Sequence, residues 1–243
     1  MINLSSYSNA FFPMCSFVIS LFLVIMFFLK KNIANNETKV YSNLIVCGLI
    51  ESSLYVLIIF CANLFYSDSL FYIFSIFNKL LYAIYVIWLS LLLYYLLIIT
   101  TKDLEKTLNK TKYTLKMLDY MFILIIFLLP IEIYHDPINH LSNTYGASTN
   151  FLYFVCFVYI TTMIIIVIKN TKNKELRSKL IPFYVLMTLF VISLIFRTID
   201  PLFNITSNVF SFVLLVMYHT IENPDLKLVN QLELAKENAD RAN

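Results

Sequence analysis

Glycine is almost missing from this chain. Only Gly48 and Gly146 occur among 243 residues. Nucleotide- and phosphate-binding loops need glycine where backbone must approach a phosphate closely, so a P-loop or a GxGxxG turn is excluded. No HExxH or GxSxG run is present either, which removes the common zinc-protease and serine-hydrolase signatures. The four cysteines, Cys15, Cys47, Cys61 and Cys156, all fall inside apolar runs and none is spaced as CxxC. That pattern reads as buried small apolar side chains rather than a redox or zinc centre. Charged residues make up only 14% and the net charge is +3, so nothing points to a nucleic-acid partner. These absences leave no catalytic residue, no metal and no cofactor to assign.

Apolar residues are what the chain has, at 60%, well above the roughly 45–50% of soluble domains. Apolar stretches long enough for transmembrane helices recur along it. The expected fold is all-α: a polytopic seven-transmembrane helix bundle over 1–221, then a cytoplasmic helix over 222–243. The predicted spans are 9–29, 40–66, 70–100, 118–134, 151–168, 180–199 and 202–221. Pro130 and Glu132 interrupt the end of the fourth.

Lysine and arginine orient this bundle. Of 18 in the chain, Lys79 and Arg197 lie within spans, and the other 16 lie in alternate connections. These include Lys30, Lys31 and Lys39 after the first span, and Lys102 to Lys116 after the third. Lys169 to Lys179 follow the fifth, and Lys227, Lys236 and Arg241 occupy the tail. The opposite connections carry none. The positive-inside rule therefore predicts the N-terminus outside and the tail in the cytoplasm, as in a multi-pass protein of a bacterial cytoplasmic membrane. The first span begins without positive charge and is followed by Lys30 and Lys31, the reverse of a secretory signal, so it reads as an uncleaved helix.

Charges in hydrocarbon are costly and need a partner or a purpose. Glu51 lies near the middle of the second span, and Asn78 and Lys79 lie in the third. The two spans are joined by a short connection, so a Glu51–Lys79 pair is expected, either locking two helices or contacting a ligand or ion. A second polar group comprises Glu132, His135, Asp136 and His140 of "IEIYHDPINH" with Arg197 and Asp200 of "FRTIDP". Arg197 is expected to pair with Glu132 or Asp200, and the group to form a polar vestibule on the outer side. A seven-helix retinal protein would need a lysine in its last helix, and 202–221 contains none.

The end of the chain, "HTIENPDLKLVNQLELAKENADRAN", breaks the apolar pattern. Asn223 suits a helix cap and Pro224 the first helical position. Leu228, Leu232, Ala235, Ala239 and Ala242 then follow 4-3-4-3 spacing, the narrow seam of a dimeric coiled coil. This stretch resembles the segment that links the membrane part of bacterial sensor histidine kinases to their catalytic core. The resemblance implies a sensory input module that relays a stimulus through helix seven and Asn223–Pro224 to a self-pairing helix. It implies a homodimer, a kinase core absent from this chain, and a response regulator as its downstream partner. The stimulus is an unnamed small molecule or a state of the lipid bilayer. The alternatives are a small transporter or channel with Glu51 and Lys79 along its path, and a passive dimerising anchor.

Overall fold

The computed structural model describes residues 4–30, 35–65, 70–101, 105–136, 141–173, 176–199 and 205–222. Side chains are described within these except at 4–10, 62–65, 105–109, 135–136, 141–142 and 197–199. Seven α-helices run in order: α1 (Leu4–Leu29), α2 (Asn36–Phe65), α3 (Phe71–Thr100), α4 (Glu105–Leu128), α5 (Ala147–Asn170), α6 (Ile181–Ile199) and α7 (Thr206–Met217). A π-helical turn, Tyr218–Glu222, continues α7. Four segments are long and apolar enough to cross a membrane: Phe11–Leu29, Asn36–Cys61, Phe71–Thr100 and Ala147–Asn170. A shorter apolar helix spans Ile181–Phe196. The fold is thus an all-helical, membrane-compatible bundle, as the composition anticipates.

The fourth predicted span needs correction at both ends. Helix α4 starts at Glu105, well before 118: the stretch Glu105–Lys116 carries four lysines, two leucines and a glutamate, all good helix formers, which outnumber its threonines. It stops at Leu128 because Pro130 disfavours helix in the residue before it. Beyond Pro130 the chain forms an antiparallel hairpin that the sequence reading treats as span end and loop. Strand β1 (Glu132–Asp136) pairs with β2 (Leu141–Tyr145), Glu132 facing Tyr145 and His135 facing Ser142. Alternating β-branched and aromatic residues in "EIYHD" suit this half-covered ladder. The hairpin is tied to α3 and α5 by the Tyr82 hydroxyl, which meets Thr144 Oγ1 at 2.5 Å and Thr149 Oγ1 at 2.9 Å.

Helix α3 is the centre of the bundle. It packs on α2, α4 and α5, and Trp88, Tyr95 and Leu96 on it are fully buried. Helix α7 packs against α1, α2 and α6. The cysteines, expected to be buried, are half-buried free thiols.

The two glycines sit where a side chain would intrude. Gly146 has φ 97°, a backbone that L-residues rarely adopt, and leads into α5 beside the Pro130 carbonyl. Gly48 lets α2 and α7 approach: a Cβ there would lie 2.8 Å from Leu214 Cδ1 and 3.9 Å from Trp88 Nε1. Gly48→Val is expected to push α7 off α2 and to destabilise the bundle by about 1–3 kcal/mol, the usual cost of overpacking. Thermal unfolding in detergent, followed by Trp88 fluorescence, measures this; an unchanged midpoint would contradict the contact.

Candidate functional site

The polar groups inside the bundle gather along one helix, α7. Its first turn meets α1 and α2. Ser207 and Ser211, four residues apart and so on one face, oppose Ser16 and Ser20 of α1, which share the same spacing. Ser16 Oγ donates to the Ser207 carbonyl at 2.8 Å and also meets Ser211 Oγ. Ser20 Oγ lies 3.1 Å from Ser211 Oγ. Small hydroxyl residues let two helices close up while satisfying each other, a common way to join helices where apolar burial alone gives no preference.

Glu51 joins this cluster. It is fully buried, and Ser207 Oγ donates to its Oε1 at 2.5 Å. Among the described residues its second oxygen accepts no hydrogen bond of ordinary geometry, and the buried Tyr85 hydroxyl on α3 makes none either. Ser207 is the second residue of α7, so the carboxyl lies at that helix's N-terminal turn, where the macrodipole favours negative charge. That placement accounts for a buried carboxyl without a cationic partner.

The other end of α7 holds a second buried carboxyl that the sequence reading misses. Glu222 ends the π-helical turn and is 1% exposed. Thr38 Oγ1, in the first turn of α2, donates to its Oε2 at 3.1 Å. Tyr95, on α3, donates to its Oε1 at 2.5 Å. One turn above, the buried Tyr41 hydroxyl of α2 donates to the Leu214 carbonyl of α7 at 2.9 Å. Glu51 has one hydroxyl donor, whereas Glu222 has two, Tyr95 on one oxygen and Thr38 on the other. Such π-turns recur at functional positions in helices. Helix α2 is itself started locally: the Asn35 side chain caps it by accepting from the Thr38 N–H at 2.7 Å, which sets Thr38 in place.

Between the two carboxyls, α7 borders a cavity of about 100 Å³ enclosed by α3, the hairpin, α5 and α6. Tyr82, Tyr85, Leu152, Cys156, Thr206 and Phe210 are among its walls, and no charged side chain lines it. Phe210 stacks on Trp88 with centroids 3.9 Å apart and meets Tyr85 edge-on at 5.4 Å. The α7 wall of the cavity is therefore held to α3 by aromatic packing.

The predicted site residues are separated rather than brought together. Lys79 does not meet Glu51. Its Nζ donates to the carbonyls of Phe127 (2.9 Å) and Leu129 (2.8 Å), so it caps the C-terminus of α4, where a cation complements the helix dipole. The expected pair fails because each charge finds a helix end closer to its own level. Asn78 is buried and satisfied within α3, donating to the Phe74 carbonyl at 2.8 Å. Glu132 is an exposed strand residue, outside any span. His135 lies in β1 and Arg197 in α6, with side chains outside the described set. Asp200, and with it the expected Arg197 pairing, lies outside the described residues. So do Asn223, Pro224 and the seam Leu228, Leu232, Ala235, Ala239 and Ala242.

No family model and no curated protein matches this chain.

Tyr95→Phe removes one donor to Glu222 while keeping the ring. It is expected to destabilise the bundle by about 1.5–3 kcal/mol, the range for hydrogen bonds to charged groups. In a double-mutant cycle with Glu222→Gln, the two changes are expected to be less than additive. Additive losses in detergent unfolding would mean that Tyr95 and Glu222 do not act together.

Proposed function

We propose that residues 1–221 form the membrane sensory input module of a two-component sensor histidine kinase, crossing a bacterial membrane seven times with the tail in the cytoplasm. The observation that carries this reading is the pair of buried carboxyls at the two ends of α7, the helix that leads directly into the kinase-like "ENPD" segment. Glu51 sits at the favourable end of the helix dipole and anchors the start of α7. Glu222, where α7 leads toward the tail, is held by the hydroxyls of Thr38 and Tyr95. A helix fixed at its start and conditionally held at its exit suits an output rod.

A stimulus shifts such an equilibrium only by its differential affinity for the two arrangements. The cavity beside Thr206 and Phe210 offers a place for that difference. A small uncharged molecule there, or a change in bilayer packing around α5 and α6, would act on α7 through the Phe210–Trp88 stack. The released end would alter the packing of a dimeric helix carrying Leu228, Leu232, Ala235, Ala239 and Ala242, and through it a kinase core and its response regulator. Glu51 and Lys79 make separate contacts, to Ser207 and to the end of α4, which favours structural roles for both over a shared path.

Two measurements test this. The coding sequence after codon 243 is expected to run into a dimerisation helix with a phosphoacceptor histidine; an immediate stop would end the kinase reading. In the full-length product, Glu222→Gln is expected to change autophosphorylation by about fivefold or more, equivalent to loss of roughly 1 kcal/mol of bias. Glu132→Gln, at an exposed strand position, is expected to leave it unchanged. Equal responses would show that α7 does not transmit.

A further inference from the structure

A second cavity, of about 240 Å³, opens between α2, α3 and α4. Its floor is apolar, built from Ile87, Leu91 and Ile123. Its rim is not: Lys112 and Lys116, one turn apart on α4, stand with Tyr94, Tyr120 and Asn43. Neither lysine makes a hydrogen bond or an ion pair with any described residue. The one acidic side chain in the lining is Asp119, and it already accepts a hydrogen bond from Tyr159 of α5 at 2.5 Å. Among the described residues, two cations thus share a recess with one carboxylate, Asp119, which is already bonded to Tyr159, and the lining keeps a net positive charge.

The depth of the recess matters. Helix α3 has 30 residues and is about 45 Å long, enough for the hydrocarbon core and both headgroup layers. Leu91 and Tyr94 lie about 9–14 Å from its Thr100 end, at the level where headgroups give way to chains. Tyr113 and Tyr120 on α4 are exposed near this level, as interfacial aromatics are. Next to the recess α4 carries an exposed stripe, Met117, Met121, Leu124 and Leu128, at helical spacing. The surface reads, from the helix end inward, as two cations, a polar ledge and an apolar track.

We propose that this cleft binds the phosphate headgroup of an anionic phospholipid, with Lys112 and Lys116 donating to the phosphate oxygens and an acyl chain lying along the α4 stripe. The inference rests on α4 lying in the bilayer and is independent of the kinase reading. Basic pockets between membrane helices at a cytoplasmic face recognise such headgroups, each lysine contributing to the attraction. Asp119 and Asn43 face the headgroup's hydroxyls rather than its phosphate.

The test uses the full chain in nanodiscs of phosphatidylcholine with and without phosphatidylglycerol, with retained lipid counted by native mass spectrometry. Phosphatidylglycerol is expected to stay bound, and the Lys112→Gln/Lys116→Gln double variant to lower its retention roughly tenfold or more. Lys169→Gln/Lys172→Gln, which removes the same charge elsewhere, is expected to retain it. Lys112→Arg/Lys116→Arg keeps the charge and is expected to bind, so a folding failure of the glutamine variant leaves a reading in hand. Equal loss in both glutamine variants, equal retention of phosphatidylcholine, or no loss of phosphatidylglycerol in the Lys112→Gln/Lys116→Gln variant would overturn the site. Thermal stabilisation by inorganic phosphate alone, matching that by phosphatidylglycerol, would overturn the lipid as its occupant.

Discussion

The buried contact between Glu222 and the hydroxyls of Thr38 and Tyr95 is the constraint on which one end of this bundle depends. It joins three helices at one point: α2 at its first turn, α3 near its last, and the end of α7. A carboxylate buried within an apolar bundle is costly unless it is hydrogen-bonded. Only well-placed donors make it tolerable, and their placement explains other features. Asn35 caps α2 and so fixes Thr38. Tyr41 reaches the Leu214 carbonyl beside the π-helical turn.

The opposite end of α7 solves the same problem differently. Glu51 needs fewer partners because a helix N-terminus faces it, and the serines of α1 and α7 close the surrounding gap. Lys79 follows the same logic with the sign reversed, taking the C-terminal carbonyls of α4. Glu51 and Lys79 are thus each matched to a helix end rather than to each other. Pairing Glu51 with Lys79 across α2 and α3 would have left the α4 carbonyls and the start of α7 without those partners.

Much of the helical architecture was legible in the residues because apolar length is a strong, local signal. The helices appear in the predicted order, and the second and third match their spans closely. The hairpin after Pro130 was not legible, because five-residue strands at the edge of an apolar run look like its frayed end. The polar site was read at the right residue in Glu51 but with the wrong partner. Its true partner, Ser207, lies 156 positions away, and serine carries no charge to betray it. Glu222 was in plain view as the first letter of "ENPD", yet proximity to a proline turn made it look like linker. Its burial follows from Thr38 and Tyr95, which no local pattern connects.

Gly48 has a mechanical corollary. Gly48 meets α7 at Leu214, seven residues after Ser207 and eight before Glu222. At 1.5 Å per residue those distances are about 10 Å and 12 Å. A side chain added at Gly48 would thus wedge α7 away from α2 almost midway between its two carboxyl contacts, and both would feel the displacement.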